Sequence, residues 1–106
     1  MKIIEVTREH IKFDNGNIIT YDHQQDCCEY NYADFEQIDD ISRDYDYPEN
    51  LIFEFIEECG FRFGGEHFKT YIPCYSCQNG YYTGEIDIYY NGKKVCSGQC
   101  ELEDDF

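Results

Sequence analysis

The stretch that decides the fold most clearly lies at residues 85–96, which read EIDIYYNGKKVC. Apolar and polar side chains alternate from Ile86 to Tyr90, as they do in a strand that has one face in the core. The dipeptide Asn91-Gly92 follows at once, and it suits a two-residue hairpin turn in which both positions need a positive φ. We therefore predict an antiparallel hairpin here.

Similar signals lie on the amino-terminal side of this hairpin. The run HIKFDNGNIITYD at 10–22 predicts a second hairpin, with its turn at 14–17. The runs at 2–7, 67–74 and 51–59 read as further strands, and Gly60 after the last of them is typical of a bulge or turn. An acidic stretch at 35–50 allows one or two helical turns. The final ELEDDF reads as a solvated tail.

The composition also favours a β core. The chain has eleven Tyr and eight Phe, and aromatic side chains fit the half-buried surface of a sheet. We therefore predict a single domain over residues 1–106. Its fold class is α+β but mainly β, with a curled antiparallel sheet or a small barrel-like sheet and at most one short helix.

The charge restricts the partners. The 106 residues include 23 acidic and 8 basic side chains, and the formal net charge is −15. Such a surface repels phosphate backbones and anionic lipid, so we expect neither direct nucleic-acid binding nor membrane binding. The electrostatic match is a basic protein. The opening residues lack the apolar segment of a signal peptide, which predicts a cytoplasmic protein.

The densest run of acidic residues is a candidate partner-binding face. One interpretation is a solvated surface that keeps a tyrosine-rich chain soluble. The sharper hypothesis is that spaced carboxylates imitate a nucleic-acid backbone and occupy a basic groove on another protein. The residues of this face are Asp34, Glu36, Asp39, Asp40, Asp44 and Asp46.

Four of the seven cysteines have a spacing that resembles a zinc ribbon. Cys74 and Cys77 form a CxxC pair, and Cys96 and Cys100 form a CxxxC pair beyond a predicted hairpin. Four thiolates can close a tetrahedral zinc site. The alternative is that these are unrelated free cysteines, some buried as small hydrophobic side chains. Zinc is the one cofactor that the sequence suggests.

A second cysteine cluster lies in HQQDCCE at 23–29. His23 could activate Cys27 or Cys28 as a nucleophile, which would make the chain a cysteine-dependent enzyme. The neighbouring carboxylates of Asp26 and Glu29 oppose this, because they raise a thiol pKa instead of lowering it. We therefore favour a structural role for this segment.

Two stretches resemble signatures of a family of small uncharacterised bacterial and phage proteins, a domain of unknown function. HQQDCCE is similar to that family's H-x-Q-D-C-C-E signature, and QNGYYT at 78–83 is similar to its NGYYS turn, with Thr83 in the place of the serine. The resemblance implies an accessory protein of phages or mobile elements. Its characteristic positions would be His23, Asp26, Cys27, Cys28, Glu29, Asn79, Gly80, Tyr81 and Tyr82.

Taken together, the sequence predicts a small acidic non-enzymatic protein that engages a basic bacterial protein, as an anti-defence inhibitor or nucleic-acid mimic would. A zinc-binding module is the first alternative, and a cysteine-dependent enzyme is the second. The sequence does not predict an oligomeric state.

Overall fold

The computed structural model describes residues 1–22, 30–78 and 84–103. Ten strands form two sheets in this part of the chain. The strands are β1 (Ile3–Val6), β2 (His10–Phe13), β3 (Ile18–Asp22), β4 (Tyr30–Ala33), β5 (Ile52–Ile56), β6 (Gly60–Gly64), β7 (Lys69–Cys77), β8 (Glu85–Tyr90), β9 (Lys93–Gln99) and β10 (Glu101–Glu103). A 3₁₀ turn covers Phe35–Gln37, and one short helix, α1, covers Asp40–Asp44.

The first sheet has the order β1-β2-β3-β8-β9, and all its pairs are antiparallel. β8 and β9 form the predicted hairpin around Asn91 and Gly92, whose φ values are 53° and 81°. Ile86 and Ile88 lie on the buried face of β8. The alternation of apolar and polar residues thus correctly predicts which face of β8 packs against the core.

The second sheet has the order β10-β7-β6-β5, and β4 also pairs with β7. Its pairs are antiparallel except for β10 and β7, which run parallel. Neither sheet closes on itself. The prediction of a mainly β fold with at most one short helix is confirmed, in the form of two open sheets.

Two sequence predictions about local structure are wrong. The run at 51–59 is not one strand, because β5 ends at Ile56 and the chain turns through Glu58 with φ of 64° before β6 begins. The turn is not evident from the sequence, because apolar residues continue on both sides of it. The carboxyl-terminal run is not only a solvated tail, since Glu101–Glu103 forms β10 beside β7.

Aromatic side chains fill the core between the sheets. Phe13, Phe63 and Tyr47 are buried and meet at ring-centroid distances of 5.3 to 6.4 Å. The sheets also meet at their edges, where Phe55 of β5 lies against the backbone of Gly98 in β9. Among the described residues, no helix is long and apolar enough to cross a membrane.

Candidate functional site

The predicted acidic face lies on the acidic segment, residues 34–46, which contains the 3₁₀ turn and α1. The Asp39 side chain caps α1 by accepting a hydrogen bond from the Ser42 N–H at 2.7 Å. Hydrogen bonds from Ser42 lower the pKa of Asp39. Buried Phe35 and Ile38 hold the segment to the core. The carboxylates are therefore displayed from a fixed backbone.

The end of this segment is held by Tyr47. Its ring is buried, and its hydroxyl donates to the Ser42 carbonyl at 2.8 Å and lies 2.5 Å from the Thr70 hydroxyl. Burial raises the pKa of Tyr47, so the phenol stays neutral over the physiological pH range. This contact joins the middle of α1 to β7.

Most of the predicted carboxylates have no cationic partner. The Asp46 carboxylate lies 2.8 Å from the amino-terminal nitrogen of Met1, whose hydrogen bond and, to a lesser degree, charge lower the pKa of Asp46. Glu36 lies 3.9 Å from Arg8, and both side chains are exposed, so this pair is screened and weak. Within the described residues, no ion pair involves Asp34, Asp39, Asp40 or Asp44.

An open groove of about 670 Å³, the edge groove, separates α1 from the first half of β7. Ile41 of α1 borders it and has 75% of its surface exposed, and Tyr71 of β7 borders it with 44% exposed. Asp39 and Glu101 also line it. The groove thus combines apolar side chains with carboxylates.

A row of tyrosines lies next to this groove on the outer face of β4 and β7. Tyr32 packs against Tyr30 at a ring distance of 5.2 Å and against Tyr75 at 5.6 Å. The Tyr32 hydroxyl donates to a Glu103 carboxylate oxygen at 2.6 Å. Burial and this hydrogen bond raise the pKa of Tyr32. Neutral phenol rings beside carboxylates suit cationic side chains.

Gln37 joins the acidic segment to the tyrosine row. Its side-chain amide donates to the Asp34 carboxylate at 2.8 Å and to the Tyr75 hydroxyl at 3.2 Å. The 3₁₀ turn is therefore fixed against the outer face of β7. The acidic segment, the edge groove and the tyrosine row form one continuous surface.

The structure does not bring the four predicted zinc ligands together. Cys74 and Cys100 are both buried, and Cys96 packs against the same core. Cys77 points to the opposite face of β7, because it lies an odd number of residues from Cys74 and side chains alternate along a strand. In the part of the chain that the structure describes, no group of three or more His, Cys, Asp or Glu side chains could hold a metal ion.

The thiols differ sharply in their environments. A hydrogen bond with Cys100 and burial raise the pKa of Cys74 above its ordinary value, and burial raises the pKa of Cys96 to about 11. Cys59, in contrast, is exposed in the turn between β5 and β6. Cys74 and Cys96 are therefore protonated at neutral pH, and burial also shields Cys74 from reagents.

We expect iodoacetamide to modify Cys59 of the native chain before it modifies Cys74 or Cys96. A pKa of about 11 instead of 9.0 lowers the thiolate fraction of Cys96 about 100-fold at neutral pH, so its labelling should rise steeply between pH 8 and pH 10. Mass spectrometry of time points measures each rate, and labelling in urea is the control in which the cysteines should react alike. Equal labelling rates of Cys59 and Cys96 in the native chain would contradict the difference between their environments.

The family-signature residues lie outside the described residues. They are His23, Asp26, Cys27, Cys28, Glu29, Asn79, Gly80, Tyr81 and Tyr82. The hypotheses that depend on them, including a nucleophile at Cys27 or Cys28, stay predictions.

Sequence reasoning missed the residues that complete the surface, namely Ile41, Tyr71 and Gln37. A signal existed for one of them, since Tyr71 alternates with Thr70 and Ile72 in a run typical of a strand with one outer face. Nothing local indicates that Ile41 is exposed, because an apolar residue in a short helix normally faces the core.

Comparisons of the chain with protein-family models, with curated proteins and with solved structures gave no match.

Proposed function

We propose that this chain is a non-enzymatic binding protein that engages a basic bacterial protein through its acidic segment. The observation that carries the proposal is a group of exposed carboxylates at the start of α1 and on it that have no cationic partner among the described residues, namely Asp39, Asp40 and Asp44. A net charge of −15 adds long-range attraction for a cationic surface.

The neighbouring groups support the same function. Ile41 and Tyr71 offer exposed apolar area beside the carboxylates, and protein interfaces commonly have an apolar centre with a polar rim. The tyrosine row adds ring faces, to which arginine and lysine bind by cation–π attraction. A basic protein with arginine-rich loops fits this combination better than a small uncharged ligand does.

We further propose that the partner is a nucleic-acid-binding protein and that the chain competes with its nucleic acid, as an accessory protein of a phage or mobile element would. Rigidly held carboxylates can occupy the sites that bind phosphates on such a partner. The zinc alternative has no comparable support from the described cysteines. The enzyme alternative depends on Cys27 and Cys28, which lie outside the described residues.

Capture from bacterial lysate tests the function. The wild-type chain is compared with a variant that carries Glu36→Gln, Asp40→Asn and Asp44→Asn, and with a control variant that carries Glu9→Gln, Asp14→Asn and Glu66→Gln. Both variants lose three exposed charges, so they differ in the position of the loss and in the weak Arg8–Glu36 pair that the first variant also loses. We expect a basic protein to bind the wild type and the control, and to bind the first variant about tenfold more weakly.

Nucleic acid added to the captured complex should release the partner, and so should moderate salt. Two results would contradict the proposal. One is capture of no basic protein, and the other is capture that is equal for the two variants and insensitive to salt.

A further inference from the structure

β7 has a stretch of strand edge that no other strand among the described residues covers. β6 pairs along one side of Lys69–Pro73. On the other side, β4 pairs only with the last four residues, Cys74–Cys77. The first half of β7 is therefore paired on one side only.

The hydrogen bonds show which residues of β7 face β6. The Phe68 carbonyl accepts from the Gly65 N–H at 3.0 Å, and the Cys74 N–H donates to the Cys59 carbonyl at 3.0 Å. The register between these two bonds has no irregularity. Even-numbered residues from 68 to 74 thus direct their backbone groups towards β6.

The odd-numbered residues face the other side. The Pro73 carbonyl accepts from the Asp34 N–H at 2.9 Å, on the side where β4 lies. Backbone groups alternate along a regular strand, so the N–H and C=O groups of Lys69 and Tyr71 face this side as well. No hydrogen bond between described residues uses these four groups.

This open edge borders the edge groove. Ile41 stands across the groove from Thr70 and Tyr71. An unpaired strand edge is a template for another extended chain, and apolar side chains on each side of it can accept the side chains of such a chain. The groove therefore has both the backbone groups and the side-chain contacts that strand addition needs.

The charge around the edge restricts what can bind. Asp39 and Glu101 line the groove beside Lys69, and Asp40 and Asp44 lie on the adjoining helix beside Arg43, so acidic groups outnumber basic ones around the edge. A second copy of this chain would bring another net charge of −15 to the same place. Charge complementarity thus favours a cationic segment over self-association.

We infer that the open edge of β7 binds an extended, cationic segment of the partner as an added strand, with one of its apolar side chains between Ile41 and Tyr71. The inference depends on the proposed function for the charge of the partner. It adds the binding mode, in which main-chain hydrogen bonds give affinity and alternate side chains give specificity.

Three synthetic peptides test the binding mode by calorimetry at low salt. The first alternates arginine and valine over nine residues. The second peptide is N-methylated on the backbone nitrogens of its arginines, and the third on the backbone nitrogens of its valines. Each methylated peptide therefore loses the backbone N–H donors along one edge and keeps its charge. We expect the first peptide to bind and one methylated peptide to bind at least tenfold more weakly, while the other stays within about threefold.

A matched pair of variants tests the location. Ile41→Arg places a cation in the groove, and Ile4→Arg makes the same change on β1, where Ile4 is 62% exposed. We expect Ile41→Arg to weaken binding of the unmethylated peptide at least tenfold, and Ile4→Arg to change it less than about twofold.

Each contrary outcome has a distinct meaning. Equal, salt-sensitive binding of all three peptides would overturn strand addition and leave the proposed function standing. Failure of all three to bind would also overturn strand addition, and lysate capture would then judge the proposed function separately. A dimer that Ile41→Arg dissociates would show that a second copy occupies the edge, which also contradicts the inference.

Discussion

Replacing Phe63 with alanine is expected to lower the free energy of unfolding by about 3–5 kcal/mol. Phe63 is fully buried, and its ring lies within 6.4 Å of the rings of Phe13, Tyr47, Phe53 and Phe61. Truncation would leave a cavity that these rigid rings cannot fill. The loss is a large fraction of the total stability of a small protein, which is about 5–15 kcal/mol.

Urea unfolding followed by circular dichroism measures this change. Ile41→Ala is the control, because Ile41 is largely exposed and its loss should alter stability by less than about 0.5 kcal/mol. Phe63→Leu gives an intermediate loss if the alanine variant does not fold. Similar stabilities for the alanine variants of Phe63 and Ile41 would show that the aromatic core is not packed as described.

Gly60→Ala is expected to cost about 3 kcal/mol, which is large for the addition of one methyl group. A Cβ at Gly60 would lie 2.2 Å from the Ile72 carbonyl oxygen and 2.8 Å from the Pro73 Cα. Both atoms belong to the backbone of β7, so this steric clash can be relieved only if β6 moves away from β7. The same substitution therefore also disturbs the strand that borders the edge groove.

Gly65→Ala provides the matched control. The nearest atom to a Cβ there is the Pro48 Cγ at 3.4 Å, which is an ordinary contact, and we expect a change of less than about 0.5 kcal/mol. Thermal unfolding of the two variants gives the comparison. If Gly60→Ala proved as stable as Gly65→Ala, the close pairing of β6 and β7 would be contradicted.

The local parts of the fold could be predicted from the sequence. The β8–β9 hairpin depends on alternation within a few residues and on the turn preference of Asn91-Gly92, and both signals act locally. The parallel pairing of β10 with β7 could not be predicted, because it joins Glu101 to Tyr75 across the intervening hairpin. No local pattern encodes a contact of that sequence separation.

The candidate site was predictable only in part. The carboxylates of the acidic segment are visible in the sequence as a dense run, and their exposure follows from their charge. The zinc hypothesis failed because the CxxC pair lies within one strand. At a spacing of three residues along β7, Cys74 and Cys77 point to opposite faces of the sheet. The open edge of β7 depends on the difference in length between neighbouring strands, which only the tertiary structure gives.

The proposed binding site on the acidic segment is tested by titrating the purified partner into the wild-type chain and into the two charge variants over a range of salt concentrations. We expect that neutralising Glu36, Asp40 and Asp44 weakens binding about tenfold at low salt and makes the dependence of log Kd on log salt less steep. We expect the control variant, changed at Glu9, Asp14 and Glu66, to bind the partner with an affinity close to that of the wild type. Equal losses in both variants would mean that only the total charge matters, and would contradict a binding site on the acidic segment.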